Sequence, residues 1–257
     1  MPHSNPSPLS RALLWMLGTL LLLPRAGWSS CEAARTALDT SIRATYSTQL
    51  YGLPISSEHR MAPGADGYEV VNKGRVLGFT VLEQSRFRLS AENRLQPLEY
   101  RYRRGSEGDK QNLDLRFDWK KHIVVSQRPN DDWQLPLEPL TQDALSQQEQ
   151  LRLDLICQGS RFDSVTYPVV RNNKMRHYTY VKLEEALLDT AVGPLKTVVI
   201  RKVDEKAERD TKVWMAIDWD YLLVKLQYRE MNGELYRLEL DSAELGDRPV
   251  TAFQPAP

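Results

Sequence analysis

The stretch TKVWMAIDWDYLLVKLQYREMNGELYRLEL, residues 211–240, decides the fold class of this chain. It predicts a strand, a tight corner at Asp218-Trp219-Asp220, a second strand, a short turn and a third strand. Apolar and polar residues alternate over residues 224–230, which is typical of a strand with one buried face. The stretch therefore predicts antiparallel sheet.

The turn of this hairpin follows from the register that keeps apolar residues on one face. A two-residue Asn-Gly turn would set Tyr228 against Arg237 and so mix apolar and charged side chains. A three-residue loop, MNG at 231–233, avoids this if Gly233 takes the left-handed conformation, and a one-residue slip would turn every side chain over. The predicted pairs are Tyr228 with Tyr236, Leu226 with Leu238, Val224 with Leu240 and, on the opposite face, Lys225 with Glu239.

Outward from this hairpin, most of the chain shows strand-like runs spaced at roughly 8–12 residues, as in an all-β sheet or barrel. Residues 142–158 are the exception and predict a helix, with Thr141 as N-cap and Gly159 as C-cap. Leu151 and Leu155 share its apolar face. The predicted fold is mainly β: a single curved antiparallel sheet or half-open β-barrel with one central amphipathic helix packed on its concave face.

Residues 1–30 are predicted to be a signal peptide. Arg11 supplies the positive charge, residues 12–23 form an uncharged apolar run, and Pro24 precedes a small-residue segment. The run is too short to span a hydrocarbon layer of ~30 Å as a stable anchor. We therefore expect a periplasmic protein without a transmembrane anchor after signal cleavage.

The remaining chain shows no internal repeat and no change of composition. We expect one mainly-β domain over residues 31–245 and a flexible C-terminal tail over residues 246–257, which contain three prolines.

The two cysteines, Cys31 and Cys157, leave three alternatives. In an oxidising compartment they would form a disulfide, which closes a loop of over a hundred residues and is worth ~4–5 kcal/mol in the chain-entropy model. Cys31 also follows Ser29-Ser30 and could be a lipidated N-terminal cysteine that anchors the protein to the envelope, although Trp28 stands where such signals carry an aliphatic residue. Two unpaired thiols are the third alternative.

Charge and motifs argue against several function classes. The 34 basic and 34 acidic residues balance, so no net charge attracts nucleic acid. The basic run Arg101, Arg103 and Arg104 is interpreted as the solvated face of a strand. No phosphate-binding loop, nucleophile elbow or zinc motif occurs. We therefore expect no enzyme activity, no catalytic residue, no metal and no cofactor.

A ligand cavity is predicted on the concave face of the sheet. Its candidate lining residues come from the helix, from the hairpin face and from tryptophans at strand ends. They are Leu151, Leu155, Trp119, Trp214, Trp219, Leu226, Tyr228, Tyr236 and Leu238.

Six segments resemble those of domain-of-unknown-function family 3108, a group of exported proteins of Gram-negative bacteria. They are PLEYRYRR (97–104), FDWKKHIV (117–124), TQDALSQQEQLRLDL (141–155), YPVVRNNKMRHYTY (167–180), LDTAVGPLKTVVIRKV (188–203) and TKVWMAIDWDYLLVKLQ (211–227). Neither cysteine belongs to the family pattern, and the family has no established activity to carry over. The layout is also similar to periplasmic lipoprotein carriers, half-open barrels that bind acyl chains.

Export, the sheet-plus-helix layout and the lack of catalytic motifs favour a non-enzymatic binding or carrier module for a lipid, a lipoprotein or another envelope amphiphile. One alternative is a structural or interaction protein of envelope assembly, whose concave face is filled by its own side chains. Another is a hydrolase of glycans or lipids that uses Asp218 and Asp220. The expected partner is a lipid or an envelope protein, and we expect a monomer.

Overall fold

The computed structural model of the protein describes residues 31–50, 53–76, 78–106, 109–127, 132–204, 210–229 and 233–254. The predicted signal peptide, and Met231 and Asn232 of the predicted turn, lie outside these residues. Within them, no helix has the length and apolar character needed to cross a bilayer.

The described residues form two α-helices and fifteen strands. The helices are α1 (Glu32–Asp39) and α2 (Ser146–Gln158). The first eight strands are β1 (Ile42–Leu50), β2 (Leu53–Gly64), β3 (Gly67–Val76), β4 (Phe79–Leu89), β5 (Leu95–Arg104), β6 (Leu113–Asp118), β7 (Ile123–Gln127) and β8 (Trp133–Pro136). The others are β9 (Ser164–Arg171), β10 (Lys174–Thr190), β11 (Gly193–Asp204), β12 (Asp210–Ala216), β13 (Leu222–Arg229), β14 (Leu235–Leu245) and β15 (Arg248–Pro249).

The strands form one antiparallel sheet that does not close into a barrel, and the predicted fold class is confirmed. Strands β1 to β8 form one meander and β9 to β14 a second, and the two join where β1 pairs with β14. Helix α2 connects the two free edges, β8 and β9. The segment before α2 also pairs with β9, because the N–H of Gln142 donates to Pro168 O at 2.8 Å and Gln142 O accepts the N–H of Val170 at 2.9 Å.

The predicted register of the β13–β14 hairpin is confirmed. Tyr228 pairs with Tyr236 and Leu226 with Leu238. On the other face Lys225 Nζ lies 2.8 Å from Glu239 Oε1. Gly233 has φ = +86°, in the left-handed region that the three-residue loop requires.

Helix α2 begins later than predicted. Thr141 does not cap it, because its hydroxyl bonds the backbone of Glu138 at 2.9 and 2.7 Å. The carboxylate of Asp143 instead accepts the N–H groups of Leu145 and Ser146, so the helix starts at Ser146. The C-terminal end agrees with the prediction: the N–H of Gly159, at φ = +55°, donates to Leu155 O.

The C-terminal segment packs on the sheet over residues 246–254. The N–H of Val250 donates to Ala243 O at 2.9 Å, and the N–H of Phe253 donates to Pro194 O at 2.7 Å. Lys196 Nζ lies 3.7 Å from the centroid of the Phe253 ring. Backbone hydrogen bonds and a cation–π contact therefore join this part of the predicted tail to the sheet, and residues 255–257 lie outside the described residues.

Candidate functional site

A cavity of ≈ 710 Å³ lies between helix α2 and the concave face of the sheet. This volume is within the range of small-molecule sites, about 300–1,000 Å³. Helix α2 contributes Gln147, Gln148, Glu149, Leu151 and Arg152 to its wall. The concave face is therefore open space in part, and its own side chains do not fill it.

One half of the cavity wall is mostly apolar, with Thr48 and Thr211 as its polar members. It comes from strand β1 and from strands β12 to β14, on the sheet positions that alternate inward. Tyr46 of β1 belongs to this half, and its hydroxyl is satisfied by Leu223 O at 2.8 Å. The aliphatic members are Ile42, Val213, Met215, Leu222, Leu223, Leu226 and Leu238.

The other half of the wall is mostly polar and comes from strands β2 to β5. Four polar residues lie in one row across these strands, because His59 pairs with Asn72, Asn72 with Glu83, and Glu83 with Tyr102. The neighbouring positions in the wall include Ile55 and Val81 as apolar members and Arg104 as a cation. The cavity is thus amphiphilic across the width of the sheet.

The polar row is connected by hydrogen bonds. Nδ1 of His59 lies 2.7 Å from Oδ1 of Asn72. The hydroxyl of Tyr100 donates to Glu83 Oε1 at 2.5 Å. Burial raises the pKa of the Glu83 carboxyl, which favours its neutral form. This half of the wall can therefore offer hydrogen-bond partners to the polar part of a ligand.

Helix α2 faces the row with an ion pair. Arg152 Nε donates to Glu149 Oε2 at 2.9 Å, and Nε2 of His59 lies 3.8 Å from Glu149 Oε1. The Glu149 and Arg152 side chains are only 6% and 3% exposed. A buried pair of this kind carries no net charge, so it adds polarity to the cavity wall without favouring either sign of ligand.

Two buried carboxylates fix helix α2 against the sheet. Asp154 accepts Arg94 Nη1 at 2.7 Å and the Tyr167 hydroxyl at 2.5 Å. Asp143 accepts the Ser85 hydroxyl at 2.6 Å, and burial raises the pKa of Asp143 to about 6. These contacts reach β4, the residue before β5, and β9, and hold the helix over the cavity.

Three of the predicted lining residues, Leu151, Leu226 and Leu238, lie on the cavity wall. Leu155 lies one helical turn after Leu151 and belongs with it to an apolar cluster that includes Phe162, but Leu155 is not among the cavity residues. Tyr228 and Tyr236 stack on each other at 4.9 Å between ring centroids, outside the lining residues.

The three predicted tryptophans do not line the cavity. Trp119 Nε1 donates to Pro97 O at 2.7 Å, and Trp219 Nε1 donates to Thr251 O at 3.2 Å, so each is held by the backbone of another segment. Trp214 lies between Val213 and Met215, which both line the cavity, and strand alternation turns it to the opposite face.

Cys31 and Cys157 are joined by a disulfide, with their Cα atoms 5.7 Å apart. The bond ties the start of α1 to the end of α2.

Sequence reasoning missed the polar row and Arg104. The signal was present, because each of strands β2 to β5 carries a polar residue on its inward face at a matching register position. Arg104 was grouped with Arg101 and Arg103, which instead pair with Asp114 on the outer face at 3.0 and 2.6 Å. Within the described residues, no group of three or more His, Cys, Asp or Glu side chains could hold a metal.

A family model described as "Protein of unknown function (DUF3108)" matches residues 45–241. The chain belongs to family DUF3108. No curated protein matches this DUF3108 sequence.

The chain is similar to several solved structures at low sequence identity. A β-barrel-like DUF1849 protein from Brucella abortus has a TM-score of 0.50 at 12% identity, covering 81% of this chain and 98% of its own. The Pseudomonas aeruginosa MucA/MucB complex has a TM-score of 0.34 at 10% identity, covering 87% of this chain and 57% of its own. A DUF1329 protein from Desulfovibrio piger has a TM-score of 0.29 at 12% identity, covering 86% of this chain and 92% of its own. Of these three, only the DUF1849 protein is similar enough to support a conclusion about this chain, and that conclusion concerns the fold alone.

Proposed function

We propose that this DUF3108 protein is a non-enzymatic periplasmic binding or carrier protein whose cavity takes a lipid or another amphiphile of the cell envelope. The observation that carries the proposal is the division of the ≈ 710 Å³ cavity into a mostly apolar and a mostly polar half. An amphiphile has the same division, so its chain would lie against β12–β14 and its head group against β2–β5.

The periplasmic location rests on residues 1–30. Their positive charge, short apolar run and small-residue end are the features of an exported protein's signal peptide. A carrier of envelope amphiphiles needs access to both lipid and water, and a half-open sheet provides it without a transmembrane segment. Location and cavity therefore support the same function.

A binding role agrees better with the cavity chemistry than hydrolysis does. The His59 ring is engaged on both sides by Asn72 and Glu149. Asp218 and Asp220 lie at the corner after β12 and are not among the cavity residues. The sequence carries no nucleophile motif that would use these groups.

The test is native mass spectrometry of the protein isolated from periplasm, followed by titration with the uncharged apolar fluorophore N-phenyl-1-naphthylamine. We expect co-purifying lipid and saturable fluorophore binding that the lipid displaces. In Gly74→Leu the new side chain enters the cavity, and its Cβ would lie 3.4 Å from Ser57 Cβ, an acceptable contact. This variant should lose bound lipid and fluorophore.

The matched control is Arg75→Leu, which adds the same side chain one residue further along β3. Arg75 is exposed and is not among the cavity residues, so lipid content and fluorophore binding should stay as in the wild type. Circular dichroism checks that both variants fold. A wild-type protein with the bare polypeptide mass and no uptake of lipid or fluorophore would overturn the proposed function.

A further inference from the structure

The carboxylates of the inward-facing wall are already engaged. Glu149 is bound by Arg152 Nε at 2.9 Å, and Glu83 accepts the Tyr100 hydroxyl at 2.5 Å. Burial disfavours the charged form of Glu83. Glu58, which also lines the cavity, pairs with Arg60 Nη2 at 3.0 Å, so little negative charge is left to act on a ligand.

Arg104 is different. Strand alternation puts it on the inward face with Tyr102, and in register it lies opposite Val81, another wall residue. Its Nη1 donates to the neutral amide oxygen of Gln111 at 2.8 Å, and its guanidinium carbon lies 5.9 Å from the Phe79 ring centroid. Among the described residues, no carboxylate forms an ion pair with it. This half-buried guanidinium keeps its full charge at the cavity wall.

The cavity wall also includes Lys73 on β3 and Lys202 on β11, whose Nζ lies 3.7 Å from the centroid of the Tyr178 ring. The Arg104 guanidinium lies in a region with a reduced dielectric constant, where charge acts more strongly than in water. The charge of Arg104 therefore favours an anionic ligand.

We infer that the amphiphile is anionic, with a phosphate or carboxylate head group bound by the Arg104 guanidinium. This inference rests on the proposed function and adds the charge of the ligand to it. The planar guanidinium can donate two parallel N–H bonds to such a group, which gives charge-assisted and directional recognition. The acyl chain then extends along the apolar half of the cavity.

Three probes with the same dodecyl chain test this: dodecyl phosphate, dodecyl maltoside and dodecyltrimethylammonium, each displacing N-phenyl-1-naphthylamine. The wild type should prefer dodecyl phosphate. Arg104→Gln keeps a hydrogen-bonding side chain but removes the charge, and should weaken dodecyl phosphate about tenfold while leaving dodecyl maltoside unchanged. Arg116→Gln, on the exposed outer face of β6, should leave all three affinities unchanged.

The outcomes separate the two proposals. If no probe displaces the fluorophore from the wild type, the proposed function fails and this inference with it. If dodecyl maltoside binds as tightly as dodecyl phosphate, or if Arg104→Gln weakens both equally, the amphiphile site stands and the inference fails. Inorganic phosphate alone should not compete at millimolar concentration; competition as strong as that of dodecyl phosphate would mean that the site takes free phosphate, which contradicts an amphiphile head group.

Discussion

At the scale of single residues, the carboxyl groups near helix α2 are unusual because they are buried and also hold the helix against the sheet. Asp143 is fully buried, and it accepts hydrogen bonds from Ser85, Leu145 and Ser146. These bonds compensate part of the desolvation but not all of it, since the pKa of Asp143 still rises to about 6. The Asp143 carboxyl at the start of the helix therefore keeps its proton to a higher pH than an exposed aspartate does.

This shift predicts a pH dependence of stability. The pKa of Asp143 in the folded protein lies above the unfolded value of ~3.9, so the folded state binds the proton more tightly. The resulting stabilisation is complete below about pH 4 and is lost as the pH rises through about 6, a change of about 2–3 kcal/mol. Urea unfolding of the wild type and of Asp143→Asn at pH 4, 5, 6 and 7 measures it.

The difference in pH dependence between the wild type and Asp143→Asn isolates the contribution of the Asp143 carboxyl. Burial raises the pKa of Asp154 and of Glu83 as well, and both carboxyls remain in the variant. The free energy of unfolding of Asp143→Asn should therefore fall less between pH 4 and 7 than that of the wild type. Parallel pH profiles would show that Asp143 does not titrate in this range.

Single residues were also the hardest feature to predict from the sequence. The predicted helix over residues 142–158 places Asp143 in its first turn, where an acidic residue is common, and nothing local to Asp143 indicates complete burial. The place of Arg104 depends on which strand positions face inward, and a run of adjacent basic residues hides that alternation. Long-range packing decides both environments.

At the scale of elements, the β13–β14 hairpin was predictable because its register has only one solution with a single apolar face. The pairs Leu226–Leu238 and Tyr228–Tyr236 follow from that condition alone. The start of helix α2 was not predictable in the same way. Thr141 and Asp143 are both good capping residues, and only the contacts of each with distant segments decide between them.

The β2–β3 hairpin offers a test of backbone conformation at this scale. Gly67 has φ = +133°, and a Cβ there would clash with the carbonyl oxygen of Phe87 on β4. Gly67→Ala should therefore lower the free energy of unfolding by more than about 1 kcal/mol, since both the strained φ and the backbone clash act against it. Thermal and urea unfolding measure the loss.

Gly64 at the other side of the same turn is the matched control. Its φ is not positive, and a Cβ there would lie 3.7 Å from its nearest neighbour, Gly67 O. Gly64→Ala should be neutral or slightly stabilising because it reduces the entropy of the unfolded chain. Equal effects of the two substitutions would contradict the assigned turn geometry.

At the scale of the whole molecule, two meanders share one sheet and one helix closes over it. Alternating strand patterns were sufficient to predict a curved sheet with a helix on its concave face. The sequence was sufficient to predict that a cavity exists but not which residues line most of it, because the walls come from strands far apart in the chain. The tryptophans, which seemed suited to a rim, are instead held by backbone contacts at Pro97 and Thr251.

The Cys31–Cys157 disulfide connects the first described residue to the end of α2 over 126 residues of sequence. It encloses the whole first meander, so its removal should act on the stability of the entire sheet. We expect Cys31→Ser and the Cys31→Ser/Cys157→Ser double variant to lose the same free energy of unfolding, about 2–5 kcal/mol, because the cross-link restricts the unfolded chain. Urea unfolding of the oxidised wild type and both variants measures this. Intact mass and thiol labelling of the mature protein decide whether the pair exists in the cell: two reactive thiols before reduction, or an acylated Cys31, would contradict it.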